Sequence, residues 1–111
     1  MVQQLELDRT FAALSDGTRR DILSRLGTGP ATLGELAAPA GMTLTGVAKH
    51  VQVLEAAGLV ATRKVGRTRE CRLGADGLQP ALDWITHYQK LWERRLDGLE
   101  LYFTMQNGTE K

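Results

Sequence analysis

TLGELAAPAGMTLTGVAKHVQVLEAAGLV, from Thr32 to Val60, decides how the rest of the chain is read. It opens with Thr32 and Glu35 at the capping-box spacing. The threonine hydroxyl can accept from the backbone N–H three residues on, and the glutamate can reach back to the threonine N–H. A short helix is therefore expected from Leu33 to about Ala38, ended by Pro39 and Gly41. Thr43 then caps a second helix. Two short helices joined by about four residues containing a glycine have the layout of a helix-turn-helix.

On a helical wheel, the second helix has two unlike faces. Leu44, Val47, Val51 and Leu54 fall within about 80° of one another. Thr45, Lys49, Gln52 and Ala56 gather on the opposite side, flanked by Gly46 and Ala48. Taken alone, this also fits an ordinary amphipathic surface helix. Behind a capped helix and a tight turn it fits a recognition helix better. Small leading side chains let the backbone approach DNA, while Thr45, Lys49 and Gln52 can reach base edges or phosphates. His50 sits at the edge of the apolar face and reads as a packing or phosphate-contacting residue. Gly58 is a natural stop.

VATRKVGRTRECRL, Val60 to Leu73, places β-type residues on both sides of Gly66-Arg67 and reads as a two-stranded hairpin. Such a hairpin directly after a helix-turn-helix is a wing. Between Thr45 and Leu73 lie Lys49, Arg63, Lys64, Arg67, Arg69 and Arg72 against only Glu55 and Glu70. That is a local charge of +4 in a chain whose total is +1, so the remainder is net acidic. A basic patch of this kind is the footprint of phosphate binding. Arg67, at the hairpin tip, suits a minor groove or a phosphate. The alternative is a hairpin whose cations merely keep an edge strand soluble.

After a break at GADGLQP, Leu78, Leu82, Ile85, Trp92, Leu96, Leu99 and Phe103 alternate by four and three, with Gln89 in the one missing slot. This predicts a long helix from Gly77 to about Phe103 carrying a heptad-like seam. Trp84, Tyr88 and Leu91 form a second stripe. So much apolar surface exceeds what one small domain can cover, so the helix is expected to pack on its own core and on a second copy. Trp84, Tyr88 and Trp92 read as core, or else as the wall of a pocket for a small apolar effector of unknown identity. At the other end, Leu5, Leu7, Phe11 and Leu14 mark a first helix from Gln3 to Leu14. Asp16 caps a second through about Gly27, with Ile22, Leu23 and Leu26 inward.

The 111 residues suit one domain, expected over residues 1–105 with a flexible tail at 106–111. Apolar residues at 42% and charged residues at 24% are ordinary for a soluble globular chain. The single cysteine, Cys71, excludes an internal disulfide and reads as a buried, inert thiol. An N-terminus with early acids and no apolar run does not read as a signal peptide, and no window reaches the roughly 18 apolar residues of a membrane span. A cytoplasmic protein with no membrane association is expected. No catalytic constellation stands out, so no enzyme, cofactor or metal is expected. Asp83 and His87 stand one turn apart, a spacing common on surface helices.

FAALSDGTRRDIL (Phe11 to Leu23), the stretch from Thr32 to Val60, and VGRTRECRL (Val65 to Leu73) together resemble the ArsR/SmtB family of winged-helix repressors. The long last helix is similar to that of the non-metal, autorepressor-like members. One departure is Gly17, where the family usually has proline. The resemblance implies a dimer, paired through the first and last helices, that binds an operator and blocks transcription. Its recognition contacts map onto Thr43, Leu44, Thr45, Gly46, Ala48, Lys49 and His50, and its wing contacts onto Arg67 and its neighbours. The family's cysteine pair falls at Thr32 and Gly34, and its Asp-x-His pair at Asp83 and Ile85, so neither standard metal site is expected.

The expectation is thus a mainly α winged helix-turn-helix of five helices and a small hairpin, acting as a homodimeric repressor on double-stranded, palindromic DNA. Its DNA-facing residues are Thr43, Leu44, Thr45, Gly46, Ala48, Lys49, His50, Gln52, Arg63, Lys64, Arg67 and Arg69. Its dimer interface is Leu5, Phe11, Ile85, Trp92, Leu96, Leu99 and Phe103. The competing reading is a winged-helix module that docks another protein without binding an operator.

Overall fold

The computed structural model describes the backbone of residues 2–106 and the side chains of 4–98. Five helices and three short strands follow in the order α1 (Val2–Leu14), α2 (Gly17–Leu26), β1 (Ala31–Thr32), α3 (Leu33–Ala40), α4 (Leu44–Ala56), β2 (Val60–Val65), β3 (Thr68–Leu73) and α5 (Gln79–Gln106). The chain divides into two compact units, Met1–Ala81 and Leu82–Lys111.

The first unit is built around one core. Ile22 and Leu26 of α2, Leu36 and Ala37 of α3, Val47, Val51 and Leu54 of α4, and Leu59, Val60 and Cys71 of the sheet are all buried in it. From α1, the buried residues are Thr10 and Ala13, not the larger Leu5 and Phe11, which stay 51% and 38% exposed. Small residues let the helix backbone come close. The Thr10 hydroxyl remains satisfied, lying 3.0 Å from the Glu6 carbonyl and 3.3 Å from that of Gly77.

The expected hairpin is present, and a third strand joins it. β3 pairs antiparallel with β2 on one side and with β1 on the other, giving the order β1-β3-β2. Ala31 faces Cys71 and Thr32 faces Glu70 across the added pair. Two residues are too few to show a periodicity, so the sequence pattern in GTGPA signals only a turn. The β2–β3 loop is two residues, with Gly66 at φ 62° and Arg67 at ordinary negative φ, as in a type II′ turn.

In the second unit, α5 continues from Leu82 to Gln106 as an uninterrupted helix, entering the segment expected to be a tail. Residues 107–111 lie outside the described residues. From Gln79, α5 has 28 residues, about 42 Å of helix. Leu82, Trp84, Ile85, Tyr88, Leu91, Trp92 and Leu96 are all between 42% and 55% exposed along it. Trp84 and Tyr88 stack with centroids 5.1 Å apart, and Trp92 follows at 6.0 Å from Tyr88 in a tilted arrangement. Leu99 and Phe103 lie on this helix, and their side chains fall outside the described residues.

Candidate nucleic-acid interface

The helix pair starts as the local rules require. Thr32 and Glu35 close a capping box: Glu35 N–H donates to Thr32 Oγ1 at 3.2 Å, and Thr32 N–H donates to Glu35 Oε1 at 2.8 Å. These bonds hold the Glu35 carboxyl below its usual range. α3 then runs two residues further than expected, with Pro39 inside it. A proline in the last turn forfeits only one intrahelical bond, so the helix tolerates it there. Gly41, left-handed at φ 65°, ends α3, and the N–H groups of Gly41 and Met42 donate to Ala38 and Ala37 in a Schellman arrangement.

The turn is thus Gly41, Met42 and Thr43, three residues rather than four. Thr43 Oγ1 accepts from Gly46 N–H at 3.0 Å and starts α4. Gly46 is small for a reason the wheel did not show. A Cβ there would stand 3.2 Å from Thr43 Oγ1 and 3.4 Å from the Met42 methyl, crowding the cap. α4 ends in a second Schellman arrangement, with Gly58 at φ 74° and the N–H groups of Gly58 and Leu59 donating to Glu55 and Leu54.

The two faces of α4 separate as expected, with one correction. Val47, Val51 and Leu54 are at most 3% exposed, but Leu44, on the same stripe, is 58% exposed. Helical side chains lean toward the N-terminus, so a residue in the first turn projects past the end of the packed helix. Thr43, Thr45, Lys49 and Gln52 are exposed, and Gly46, Ala48 and His50 are partly covered.

His50 has a specific partner. Arg19 reaches from α2 with one terminal nitrogen 3.3 Å from His50 Nδ1. The guanidinium only donates, so in this contact Nδ1 accepts and the ring proton sits on Nε2. The same guanidinium bonds the Ala12 and Ala13 carbonyls at 3.0 and 2.8 Å, while Arg20 bonds that of Leu14 at 2.7 Å. Two arginines thereby satisfy the open C-terminal carbonyls of α1 and tie that helix to α4. Asp16 caps α2, and its carboxyl is held low chiefly by the Arg19 backbone N–H.

The wing sorts its cations into committed and free. Arg63 and Glu70 are cross-strand partners, with Nε 3.1 Å from Oε1. Arg69 Nε donates to Thr62 Oγ1 at 3.1 Å, and that hydroxyl donates to Glu55 Oε2 at 2.8 Å. Lys64, Arg67 and Arg72 are exposed and make no such bond among the described residues, and neither does Lys49 on α4. Cys71 is fully buried, and that burial, with the Glu55 charge nearby, pushes its thiol pKa up. This is the inert environment expected for it.

The expected recognition residues and the wing cations therefore sit on adjacent elements of one compact unit, an arrangement suited to gripping a polyanion. Of the residues expected at a dimer interface, Leu5, Phe11, Ile85, Trp92 and Leu96 all carry exposed apolar surface within their own units. Sequence reasoning missed Arg19, whose bonds span residues far apart in the chain, and Thr62, which has no charge to attract notice.

A family model described as a helix-turn-helix domain matches residues 14–63, which covers α2 through the first four residues of β2. Among curated proteins, the HTH-type transcriptional regulator Rv2034 of Mycobacterium tuberculosis is 40% identical over 91 residues, 82% of each chain. Among solved structures, the ArsR family transcriptional regulator RHA00566 superposes with a TM-score of 0.76 at 41% identity, covering 81% of this chain and 93% of its own. The homodimeric winged helix-turn-helix DNA-binding domain Mb0332 of Mycobacterium bovis gives a TM-score of 0.62 at 28% identity, covering 78% and 82%.

Proposed function

The chain belongs to the ArsR family of winged helix-turn-helix DNA-binding transcriptional regulators, and we propose that it works as a homodimeric repressor on a palindromic operator. One observation carries this reading: α4 and its cap present an exposed polar flank of Thr43, Thr45, Lys49 and Gln52 beside a wing whose Lys64 and Arg67 are uncommitted among the described residues. The flank enters the major groove. The covered, small Gly46 and Ala48 let the backbone approach, Lys49 and Gln52 reach base edges or phosphates, and His50 offers Nε2–H to an acceptor. Arg67 reaches the adjacent minor groove or backbone, with Lys64, Arg63 and Arg69 behind it.

Two copies are needed because one α5 leaves its apolar stripe half exposed. The solved Mb0332 domain is described as homodimeric, which supports the same arrangement here. Leu5 and Phe11 of α1 and Ile85, Trp92, Leu96, Leu99 and Phe103 of α5 form the dimer contact. A two-fold dimer places its recognition helices in successive major grooves, about 34–36 Å apart. A promoter element so covered is closed to polymerase by simple exclusion. If the dimer neutralises roughly 6–10 phosphates, affinity falls about 10³–10⁵-fold between 50 and 200 mM salt. Among the described residues no helix is long and apolar enough to cross a membrane. The site of action is the cytoplasm, where the DNA is.

The test is fluorescence anisotropy against a duplex from the region upstream of its own gene, with a scrambled duplex alongside, at two salt concentrations. Tight, sequence-preferring and salt-sensitive binding is expected. No binding to either duplex at low salt would overturn the reading in favour of a protein-docking module.

A further inference from the structure

The recognition helix and the wing are separate elements, and one uncharged side chain spans them. Thr62 lies on β2, directly opposite Cys71 and diagonal to Arg69 on β3. Its hydroxyl donates to Glu55 Oε2 at 2.8 Å and accepts from Arg69 Nε at 3.1 Å. Glu55 belongs to the last turn of α4. A single hydroxyl, used as donor to a carboxylate and acceptor from a guanidinium, therefore links the end of the recognition helix to both strands of the wing. Each bond has one charged member, the stronger class of hydrogen bond. Among the described residues Glu55 and Arg69 form no direct ion pair. The connection between them runs through Thr62.

We propose that Thr62 is a positioning residue for DNA binding: it fixes the angle between wing and recognition helix so that Arg67 and Lys49 meet one duplex. The inference rests on the DNA-binding reading above. The base of the wing is anchored independently by the buried Leu59, Val60 and Cys71. Beyond Thr62, strand β2 runs out to Val65 with every residue exposed. From Thr62 to the Gly66 turn is four residues, a lever of about 13 Å. A 10° swing at Thr62 moves the tip by roughly 2 Å, enough to break a hydrogen bond whose working range is about half an ångström. Arg67 at the end of that lever has no intramolecular partner to hold it among the described residues, so its aim depends on the strand beneath it.

The experiment is a double-mutant cycle read by anisotropy on the upstream duplex, with Thr62→Val, Arg67→Ala and the pair. Valine keeps the β-branched shape and removes only the hydroxyl. The expected result is binding roughly three- to tenfold weaker for Thr62→Val, with a melting temperature lowered by no more than a few degrees because both lost bonds are exposed to solvent. The same substitution should have a markedly smaller effect in the Arg67→Ala background, because the side chain at the tip is gone and only Lys64 remains beyond Thr62 to be aimed. A penalty of equal size in both backgrounds, or none in either, overturns the proposal. Thr62→Ser, which keeps the hydroxyl, guards against a folding artefact: near-native affinity supports the role, and a loss as large as that of valine overturns it. If the unmodified protein fails to bind any duplex at low salt, the DNA-binding reading falls and this inference with it. Unmodified protein that binds while Thr62→Val matches it refutes the role of Thr62 alone.

Discussion

Replacing Arg67 with alanine should flatten the salt dependence of DNA binding, and replacing Arg63 should flatten it less. The two arginines stand on the same hairpin, four residues apart, and differ in what they do before DNA arrives. Arg63 Nε is already 3.1 Å from Glu70 Oε1, so its charge is largely balanced. Arg67 is exposed at the turn with no partner among the described residues. Each phosphate neutralised adds about 0.9 to the slope of log affinity against log salt. A dimer carries two copies, so losing both Arg67 contacts should lower the slope by about 1.8. Across a fourfold change in salt that is roughly a twelvefold smaller loss of affinity. An exposed ion pair is worth only about 0–1 kcal/mol, so phosphate can partly displace Glu70, and Arg63→Ala should change the slope by less than about one. Anisotropy titrations at four or more salt concentrations measure both slopes. An Arg63→Ala slope change equal to or larger than that of Arg67→Ala would refute the assignment of free and committed cations.

Gly77→Ala should destabilise the fold by at least about 2 kcal/mol, since its Cβ would overlap the Gly58 carbonyl, a backbone group with nowhere to go; chemical denaturation reads this directly. Gly17→Pro should do the opposite. Gly17 is the first residue of α2, and Asp16 before it is extended at φ −103°, ψ 128°, as a residue preceding proline prefers. A gain of about 0.4–1 kcal/mol, from a less flexible unfolded chain, should raise the melting temperature by a few degrees. Asp16 and Glu35 are both held below their ordinary values of 3.8 and 4.5, so their stabilisation is complete above those values and lost as pH falls through the lowered ones. The double variant Asp16→Asn, Glu35→Gln should show a shallower loss of stability on acidification than the unmodified protein. Leu96→Glu should place a charge in the dimer seam and shift sedimentation to a monomer or to unfolded chain, and a profile that stays dimeric would relocate the interface.

Much of the reading head is legible in the sequence, because its signals are local. A capping box needs only Thr32 and Glu35 three residues apart, and a Schellman end needs only a glycine where the chain must turn left-handed, as at Gly41 and Gly58. The hairpin followed from β-type residues around Gly66, and the basic patch from a simple count. The misjudgements arose where local pattern is indifferent to neighbours. Leu44 shares a stripe with Val47 but lies beyond the packed part of the helix. On α1 the buried residues are the small Thr10 and Ala13, which no apolar periodicity marks, while Leu5 and Phe11, expected at a dimer interface, stay exposed. Ala31 and Thr32 become a strand only because Cys71 and Glu70 are there to pair with them.

By itself, then, the sequence determined the order of helices and hairpin, the capped turn between α3 and α4, and the concentration of positive charge on the wing. These depend on residues within a few positions of one another. Tertiary structure alone decided how the charges are shared: Glu70 takes Arg63, Thr62 takes Arg69 and passes the connection to Glu55, Arg19 takes His50, and Lys49, Lys64, Arg67 and Arg72 make no such bond among the described residues. A side chain's partner is set by what folding brings within about 3 Å, and strand pairing and helix packing achieve this between residues that the linear chain keeps apart.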